Sequence, residues 1–578
     1  MKIMNKSRLL GLVPQLVLLS VLITFVIVTN APIISFDLLY PEQPLIYLAN
    51  QKITSLHDLL NVYLHPQFLH YAIPFFRPSG HFLIYQLIAP IIGWQNNVGF
   101  IIVNLIFLAL TGYVMIKLYR LLFPKFVWGG YIAFSIYAMH PALSLSRLIS
   151  LHFEFAYVFF TVLSLYYFVL FYQRNPSLTI TDSKVSLRSV HLLASSLLVF
   201  VIAATFKEPA VMLGGVFLLY IFMHATSQTT LWKFFPFIIK NKVLLQIILL
   251  TTAVTLALLL YLTLPWPTLV NPVHAPSVGQ RLATINEFLK CVFGLKFNLI
   301  PFVSAPLMEM LWRGIIFPTS TRVIIGSLTA TSAISCIFLY LNNSASQSIY
   351  KKSIFFLFGS SLIFLFLPIA WAMGLPWHFS LTILCLSMIA GFSCDYLIKL
   401  VCKRKICAIA SCTCFIIIIG LNSITTNNKN MARYTINKPI YFTLKLMRNA
   451  VQHPPHIKDQ LNTNSIIISE DSGNHQDLAL GASSYPFIFA ALYNTGFDYN
   501  QIMRQFKLDF IKIDPEYSGN LFKLAYLIPS LREESYPFQI EKMKHNVADI
   551  IIYNWLTDRK STRLNSSHST LSRMPSSA

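Results

Sequence analysis

The sequence predicts an all-α membrane protein with about eleven transmembrane helices and a C-terminal extracytoplasmic α/β domain. The first observation is composition: of 578 residues, 55% are hydrophobic and only 11% are charged, and the mean hydropathy is +0.61. Soluble proteins carry about 25% charged residues, and a soluble chain of this length would form about three or four domains with polar surfaces. The second observation is a series of apolar runs, and the third is the placement of basic residues in alternate loops. Together they exclude a soluble enzyme.

A transmembrane helix needs about 20 mostly apolar residues, and eleven segments are predicted to be such spans, the third and sixth being short. They are 10–29, 97–116, 127–141, 153–172, 190–206, 209–224, 243–264, 321–341, 354–373, 379–398 and 406–422. Lys2, Lys6 and Arg8 precede the first span, as basic residues precede a signal peptide. Its apolar stretch is long and no small-residue cleavage site follows, so it is predicted to be an anchor.

The basic residues predict the orientation of the spans. With a cytoplasmic N-terminus, the inside segments carry 18 Lys and Arg residues, and the outside loops carry about half as many over a longer stretch of chain. This agrees with the excess of positive charge on cytoplasmic loops. The net charge of +22 is therefore largely an orientation signal and does not indicate nucleic-acid binding. An odd number of spans places the C-terminal part outside.

Three regions follow from the change in composition: a membrane domain at 1–422, an α/β domain at 423–558 and a tail at 559–578. Runs beginning at Ile466, Phe510 and Ile550 predict buried strands, and 484–494 and 519–530 predict helices. The tail has seven Ser, four basic residues and no apolar period, and it resembles translated vector or sequencing-adapter sequence. It is interpreted as non-native and is left out of the fold prediction.

The eight cysteines indicate neither a disulfide framework nor a zinc site. Seven lie in or beside apolar spans, and Cys291 lies alone in a loop. Cys412 and Cys414 are two residues apart in a predicted helix and point in different directions, which suits no metal site. No cofactor is expected, and a divalent metal is not indicated.

Two predicted outside loops are long. The first, at about 30–96, contains amphipathic stretches such as the one that begins at His81, which predict short helices on the membrane surface. The second, at about 265–320, is rich in Pro and aromatic residues and carries Arg281, Lys290 and Arg313.

Ionisable residues near spans are costly and are candidates for function. Asp37 follows the first span, and its simplest interpretation is a solvated loop acid. Arg77-Pro78 precedes His81, and the planar guanidinium suits phosphate, although Arg77 could also snorkel to lipid headgroups. His140-Pro141 ends the third span, and Glu154 opens the fourth.

The fifth and sixth spans are joined by Lys207-Glu208-Pro209 with almost no loop. These two charges either pair with each other or line a polar cavity. Pro376-Trp377-His378 opens the tenth span on the same predicted side. Because all of these residues fall on one side, we expect one polar pocket at the outer membrane surface.

In the order of these motifs, roughly the first 225 residues resemble the GT-C superfamily of membrane glycosyltransferases that use polyprenyl-phosphate-linked sugars. The chain is most similar to the branch containing tetratricopeptide-bearing O-mannosyltransferases and their bacterial relatives. The matching motifs are Asp37, Arg77-Pro78, His140-Pro141, Glu154 and Lys207-Glu208. The chain departs from this branch at several places. Leu38 stands where the branch often has a second acid, Phe107 stands where a His is frequent, and residues 142–147 contain no acid. Trp377-His378 is only loosely similar to an Arg-Tyr type motif, and no tetratricopeptide repeats follow the membrane part.

The resemblance implies a mechanism and a location. Asp37 would be the general base, and Arg77, Lys207 and either Arg281 or Arg313 would stabilise the leaving lipid phosphate. The remaining residues of the binding site would be His81, His140, Glu154, Glu208 and His378. A single displacement would invert the anomeric centre. The expected partners are membrane lipid, a polyprenyl-phosphate sugar and a glycan, lipid or protein acceptor, in a bacterial inner membrane.

Three other classes stay open. A multi-pass transporter or flippase would have midplane charges and inverted repeats, which the sequence lacks. An O-antigen ligase or polymerase would share the lipid substrate and usually shows Arg-rich outer loops late in the chain. A non-catalytic GT-C-like scaffold would bind the donor without turnover.

Overall fold

The computed structural model describes most of the predicted membrane domain and three strands near the C-terminus. The described residues are 24, 55, 57, 60, 63, 77–92, 97–143, 154–175, 187–225, 231–263, 277–293, 295, 318–341, 345–371, 376–402, 405–436, 465–470, 549–554 and 559–565. Asp37, the first predicted span apart from Thr24, the strand at Phe510 and both predicted helices of the C-terminal domain lie outside these residues.

Twelve helices of ten residues or more occur among the described residues. They are α1 Asn97–Leu122, α2 Gly129–Ala138, α3 Glu154–Arg174, α4 Leu187–Phe206, α5 Leu213–Ala225, α6 Leu231–Lys240, α7 Lys242–Thr263, α8 Val278–Phe293, α9 Thr319–Leu341, α10 Ala345–Ala370, α11 Ser380–Val401 and α12 Lys405–Ile436. Shorter helical segments precede or connect them: Pro78–Gly80, the π-helical His81–Ile88, Ala89–Ile92, and the 3-10 turns Pro141–Leu143, Glu208–Met212 and Pro376–Phe379. Long apolar helices suit a bilayer because every backbone polar group is paired within the segment.

Eight of the described helices are long and apolar enough to cross a membrane. The chain is therefore a multi-pass membrane protein with an all-α membrane domain. The predicted third span is shorter than expected, since α2 has 10 residues and passes into the turn Pro141–Leu143. The predicted sixth span is divided into the 3-10 turn Glu208–Met212 and the 13-residue α5.

α2 packs closely on α11 within the bundle. A Cβ atom added to Gly391 would clash with the carbonyl oxygen of Gly129 and would lie 2.7 Å from the Cβ of Ala133. The two backbones therefore touch, which is the usual way in which small residues bring membrane helices together. Nearby, α3 packs against both α1 and α4.

Two polar side chains of α11, Asp395 and Lys399, lie at one end of this helix pair, and we call them the Asp395 cluster. The Oδ2 atom of Asp395, a buried residue, accepts the N–H of Gly129 at 2.7 Å, so a side chain of α11 caps the first turn of α2. Lys399 lies over the ring of Phe126 at 4.1 Å and donates to the carbonyl oxygen of Lys125. Two basic segments predicted on the cytoplasmic side thus meet at one end of the bundle.

The C-terminal strands form a three-stranded sheet. β1 (Ser465–Glu470) pairs in parallel with β2 (Asp549–Asn554), with Ile467 opposite Ile551. Both strands are predicted from their isoleucine runs. β3 (Arg559–Asn565) pairs antiparallel with β2. The tail that is interpreted as non-native therefore contributes a strand to this sheet, because strand pairing uses backbone groups and does not require an apolar pattern.

The last membrane helix continues beyond its predicted span. A span at 406–422 is predicted, with a domain boundary at 423, but α12 continues to Ile436. The segment beyond 422 is polar, and the apolar pattern that marks a span does not mark the end of a helix that leaves the membrane.

Candidate active site

Several elements meet at the end of the bundle that contains Glu154. We call their polar side chains the Glu154 cluster, which consists of Arg77, Glu154, Tyr157, Lys207, Glu208 and Ser380. They come from the segment before Pro78–Gly80, the first turn of α3, the junction after α4 and the start of α11. Ser380 and Lys399 are 19 positions apart on α11, which corresponds to about 29 Å of helix, so this cluster and the Asp395 cluster lie at opposite ends.

The first ion pair joins Lys207 to Glu154. The Nζ atom of Lys207 contacts Oε2 of Glu154, and their side chains are 2% and 0% exposed. Glu154 lies in the first turn of α3, where a carboxylate is favoured by the helix dipole. Burial lowers the pKa of Lys207, and the Glu154 carboxylate opposes this shift. Lys207 therefore depends on Glu154 to keep its charge in this apolar setting.

The second ion pair joins Arg77 to Glu208 with two hydrogen bonds. Nε and Nη2 of Arg77 donate to Oε1 and Oε2 of Glu208 at 2.8 and 3.1 Å. The Glu208 side chain is 2% exposed, whereas that of Arg77 is 13% exposed. This fork-to-fork geometry fixes the plane of the guanidinium, while part of its surface stays accessible.

Lys207 and Glu208 each pair with a residue on another element, Glu154 and Arg77 respectively, which is not the alternative in which they pair with each other. Lys207 has an extended backbone, with φ −159° and ψ 135°, between α4 and the following 3-10 turn. Successive side chains on an extended backbone point in opposite directions, so the two residues find partners on different elements. Pro209 lies in the first turn of that 3-10 segment, where its missing N–H leaves no helical hydrogen bond unmade.

Two hydroxyl groups support the first ion pair. The hydroxyl of Ser380 donates to Oε1 of Glu154, and the hydroxyl of Tyr157 lies 2.8 Å from Ser380 Oγ. Ser380 has one hydroxyl proton and gives it to Glu154, so Tyr157 is the donor in its bond with Ser380. The Tyr157 ring also lies 5.2 Å from Lys207 Nζ.

A second set of hydroxyl groups holds the segment that follows Arg77. Ser79 Oγ lies 2.6 Å from Thr205 Oγ1, and Tyr63 lies 2.9 Å from Ser79. Thr205 itself donates to the carbonyl oxygen of Val201 at 2.7 Å. Ser79 is therefore fastened to the last turn of α4, just before Lys207.

His140 and His378 lie in turns that contact each other. The backbone N–H of Ala142 donates to Nδ1 of His140 at 3.2 Å, and Nε2 lies 3.3 Å from the carbonyl oxygen of Val292. This arrangement requires the neutral ring with its proton on Nε2, and it ties the end of α8 to the turn after His140. Phe288 of α8 packs edge-on against Phe379, with ring centroids 5.3 Å apart, in the turn that contains buried His378.

The remaining predicted site residues have varied positions. His81 begins the π-helical segment. Arg281 is exposed on α8, and Arg313, like Asp37, lies outside the described residues. Within the part of the chain that the structure describes, no group of three or more His, Cys, Asp or Glu residues could hold a metal ion.

The structure adds polar residues that the motif search does not identify: Tyr157, Ser380, Ser79 and Thr205 beside the ion pairs, Glu287 in α8, and Asp395 at the opposite end. Their only sequence signal is a polar side chain near the end of an apolar run. Serine and threonine are common in membrane helices, so this signal has low specificity.

No family model and no curated protein matches this chain. Among solved structures, the apo crystal structure of the Archaeoglobus fulgidus oligosaccharyltransferase is similar with a TM-score of 0.46 and 13% identity, over 93% of this chain and 69% of that chain. AglB from Archaeoglobus fulgidus, in complex with an inhibitory peptide and a dolichol-phosphate, gives 0.44 and 14%, over 93% and 69%. The Archaeoglobus fulgidus enzyme tethered to an acceptor peptide with the NVT sequon gives 0.45 and 14%, over 92% and 68%.

Proposed function

We propose that this chain is an integral membrane glycosyltransferase of the GT-C type. It moves a sugar from a polyprenyl-phosphate donor to an acceptor at the extracytoplasmic face, with inversion. The observation that carries the proposal is the pair of ion pairs Arg77–Glu208 and Lys207–Glu154, which join three separate motifs of the family resemblance at one end of a membrane bundle.

Arg77 is proposed to bind the donor phosphate. Its guanidinium is held by Glu208 in a fixed plane and is the more exposed member of that pair. A fixed planar cation suits a phosphate group because its N–H donors are already oriented when the ligand arrives. Lys207 supplies a second positive charge in the same cluster.

Asp37 is proposed to be the general base. As the acceptor hydroxyl oxygen forms a bond with the sugar C1, its proton passes to the Asp37 carboxylate. The bond between C1 and the phosphate oxygen breaks at the same time, and its electron pair leaves with the lipid phosphate. Arg77 and Lys207 stabilise the negative charge that develops there.

Glu154 and Glu208 are proposed to hold these two cations, and His81, His140 and His378 to line the substrate site. Neutral His140 acts through α8, since its contacts join that helix to the turn after His140. The proposed setting is a bacterial inner membrane with the N-terminus in the cytoplasm and the C-terminal domain outside. The acceptor is a glycan, lipid or protein, and no nucleic acid takes part.

The test is Asp37→Asn in full-length protein in membranes supplied with a panel of labelled polyprenyl-phosphate sugars. Loss of the base is expected to lower transfer at least about 100-fold. Glu42→Gln, which also neutralises an acid in the same segment, is the matched control and should transfer at the wild-type rate. Unchanged transfer by Asp37→Asn would overturn the assignment of the base.

A non-catalytic GT-C-like scaffold is the second candidate. One observation favours it: both described cations of the cluster are paired with a carboxylate, so the two ion pairs carry no net charge. Binding of a labelled polyprenyl-phosphate sugar without transfer to any acceptor in the native membrane would select the scaffold.

A further inference from the structure

The start of α11 lies directly beside the first ion pair. Ser380, the first residue of this helix, has no exposed surface and donates to Oε1 of Glu154. The other carboxylate oxygen of Glu154 contacts Lys207. One carboxylate therefore joins a late helix of the chain to the junction after α4, although Ser380 and Lys207 are far apart in sequence.

This arrangement limits how Glu154 can turn. A buried carboxylate with a single partner can rotate about its terminal torsion, whereas one with a different partner on each oxygen is fixed in its plane. Ser380 is itself held by Tyr157 at 2.8 Å, and Tyr157 lies one turn after Glu154 on α3. The three groups form a closed set of contacts between α3 and α11.

The position of Lys207 follows from that of Glu154. A lysine ammonium group on a four-carbon chain has many rotamers, and burial alone does not select one. Its described contacts are Glu154 Oε2 and the face of the Tyr157 ring, whose centroid is 5.2 Å from Nζ. Both contacts belong to groups that Ser380 bonds.

We infer that Ser380 is a positioning residue, which holds Glu154, and through it Lys207, in the orientation that binds the phosphate of the lipid donor. This inference rests on the proposed function, in which Lys207 supplies the second positive charge that stabilises that phosphate. Tyr157 is a positioning residue in the same sense, because it holds Ser380, which in turn holds Glu154. Neither residue belongs to the motifs of the family resemblance, and both are identified by their contacts alone.

The experiment measures binding of farnesyl phosphate, a short polyprenyl phosphate without a sugar, to full-length protein in detergent by titration calorimetry. Ser380→Ala is expected to raise Kd about tenfold, which corresponds to about 1.4 kcal/mol. Ser380→Thr keeps the hydroxyl and should restore Kd to within about twofold of wild type. Tyr157→Phe keeps the buried ring, removes only the hydroxyl, and should raise Kd about threefold.

Ser393→Ala is the matched control, because Ser393 is also buried on α11 but bonds only the carbonyl oxygen of Ile389 in its own helix, at 3.0 Å. Its Kd should equal that of wild type. Calorimetry also separates positioning from folding: a folding defect lowers the binding stoichiometry at constant Kd, whereas a displaced Lys207 raises Kd at constant stoichiometry.

The outcomes are distinct. If wild type binds and both Ser380→Ala and Tyr157→Phe bind with wild-type Kd, the inference is overturned and the proposed function stands. If wild-type protein does not bind farnesyl phosphate, the proposed donor site is overturned and the inference with it. If wild type binds and the hydroxyl-deletion variants bind more weakly, with recovery in Ser380→Thr, Ser380 is the positioning residue.

Discussion

At the scale of single residues, the Glu154–Lys207 ion pair has a high desolvation cost and a well-defined set of contacts. Taking both charges out of water costs several kcal/mol per ion, and the pair is almost fully buried. Contacts with Ser380 and the Tyr157 ring offset part of this cost. The pair therefore adds little net stability, since apolar residues of similar size would stabilise the same position at least as well.

This reasoning gives a prediction about stability and activity. Lys207→Met or Glu154→Leu alone leaves a buried charge without its partner and should destabilise the protein by about 3–5 kcal/mol. The double variant removes both charges and should recover most of that loss. Thermal unfolding in detergent measures the three variants against wild type.

Glycosyl transfer, unlike stability, should not recover in the double variant. The double variant is expected to remain inactive, because Lys207 no longer stabilises the leaving phosphate. If the double variant loses as much stability as the two single variants together, Glu154 and Lys207 are not energetically coupled in the way that their contacts imply.

Arg77 and Lys207 differ in how firmly they are held and in how exposed they are. Arg77 is fixed by two hydrogen bonds and is partly exposed, whereas Lys207 is almost fully buried. In the proposed donor site, Arg77 is therefore the cation accessible to an entering phosphate, with Lys207 buried behind it. Sequence alone ranks the two equally, because exposure is decided by neighbouring elements.

At the scale of helices, α2 and α11 show how a short helix is fixed in the bundle. α2 has only 10 residues, yet its glycines allow direct backbone contact with α11, and Asp395 caps its first turn. The 3-10 turns after α2 and before α11 also touch each other. Thus the helix that leads to His140 and the helix that presents Ser380 are packed directly against each other.

Substitution of one glycine tests this close packing. Gly391→Ala on α11 places a methyl group against the Gly129 carbonyl oxygen and the Ala133 side chain. We expect a loss of about 1–3 kcal/mol in stability, because backbone atoms cannot move aside cheaply. Thermal unfolding in detergent measures this change.

Gly326→Ala on α9 is the matched control, since a Cβ at that position has no neighbour within 4 Å. It is expected to be neutral or to stabilise by up to about 1 kcal/mol through helix propensity. Equal melting temperatures for the two variants would contradict the close approach of α2 and α11.

At the scale of the whole molecule, the two polar clusters define the ends of the bundle. Their separation of about 29 Å along α11 matches the hydrocarbon core of a bilayer, which is about 30 Å thick. The end with Lys125 and Lys399 carries basic segments, as the charge rule predicts for the cytoplasmic side. The Glu154 cluster then faces the opposite side.

Labelling of single cysteines tests this orientation. In a background with exposed Cys407 and Cys414 replaced by Ser, Ser277→Cys at the start of α8 should react with a membrane-impermeant maleimide in intact cells. Lys125→Cys should react only after lysis. The reverse pattern would invert the topology and place the Glu154 cluster in the cytoplasm.

Composition and apolar run length determined the membrane class and, within a few residues, the positions of most described spans, because a bilayer imposes a length and an apolar surface on every helix. The span at 153–172 and α3, Glu154–Arg174, differ by one residue at the start. The same local signals did not predict the continuation of α12 beyond 422 or the strand β3, since neither a helix outside the membrane nor strand pairing needs an apolar pattern.

Which charges pair was decided only by tertiary structure. The sequence placed Arg77, Glu154, Lys207 and Glu208 on one side but left open whether Lys207 pairs with Glu208 or lines a polar cavity, whereas in the structure it pairs with Glu154. It gave no reason to choose Ser380 or Tyr157 from many similar residues. The partner of each charge depends on the direction of its side chain and on distances between elements remote in sequence. At Lys207 the extended backbone turns the side chains of Lys207 and Glu208 in different directions, toward different partners.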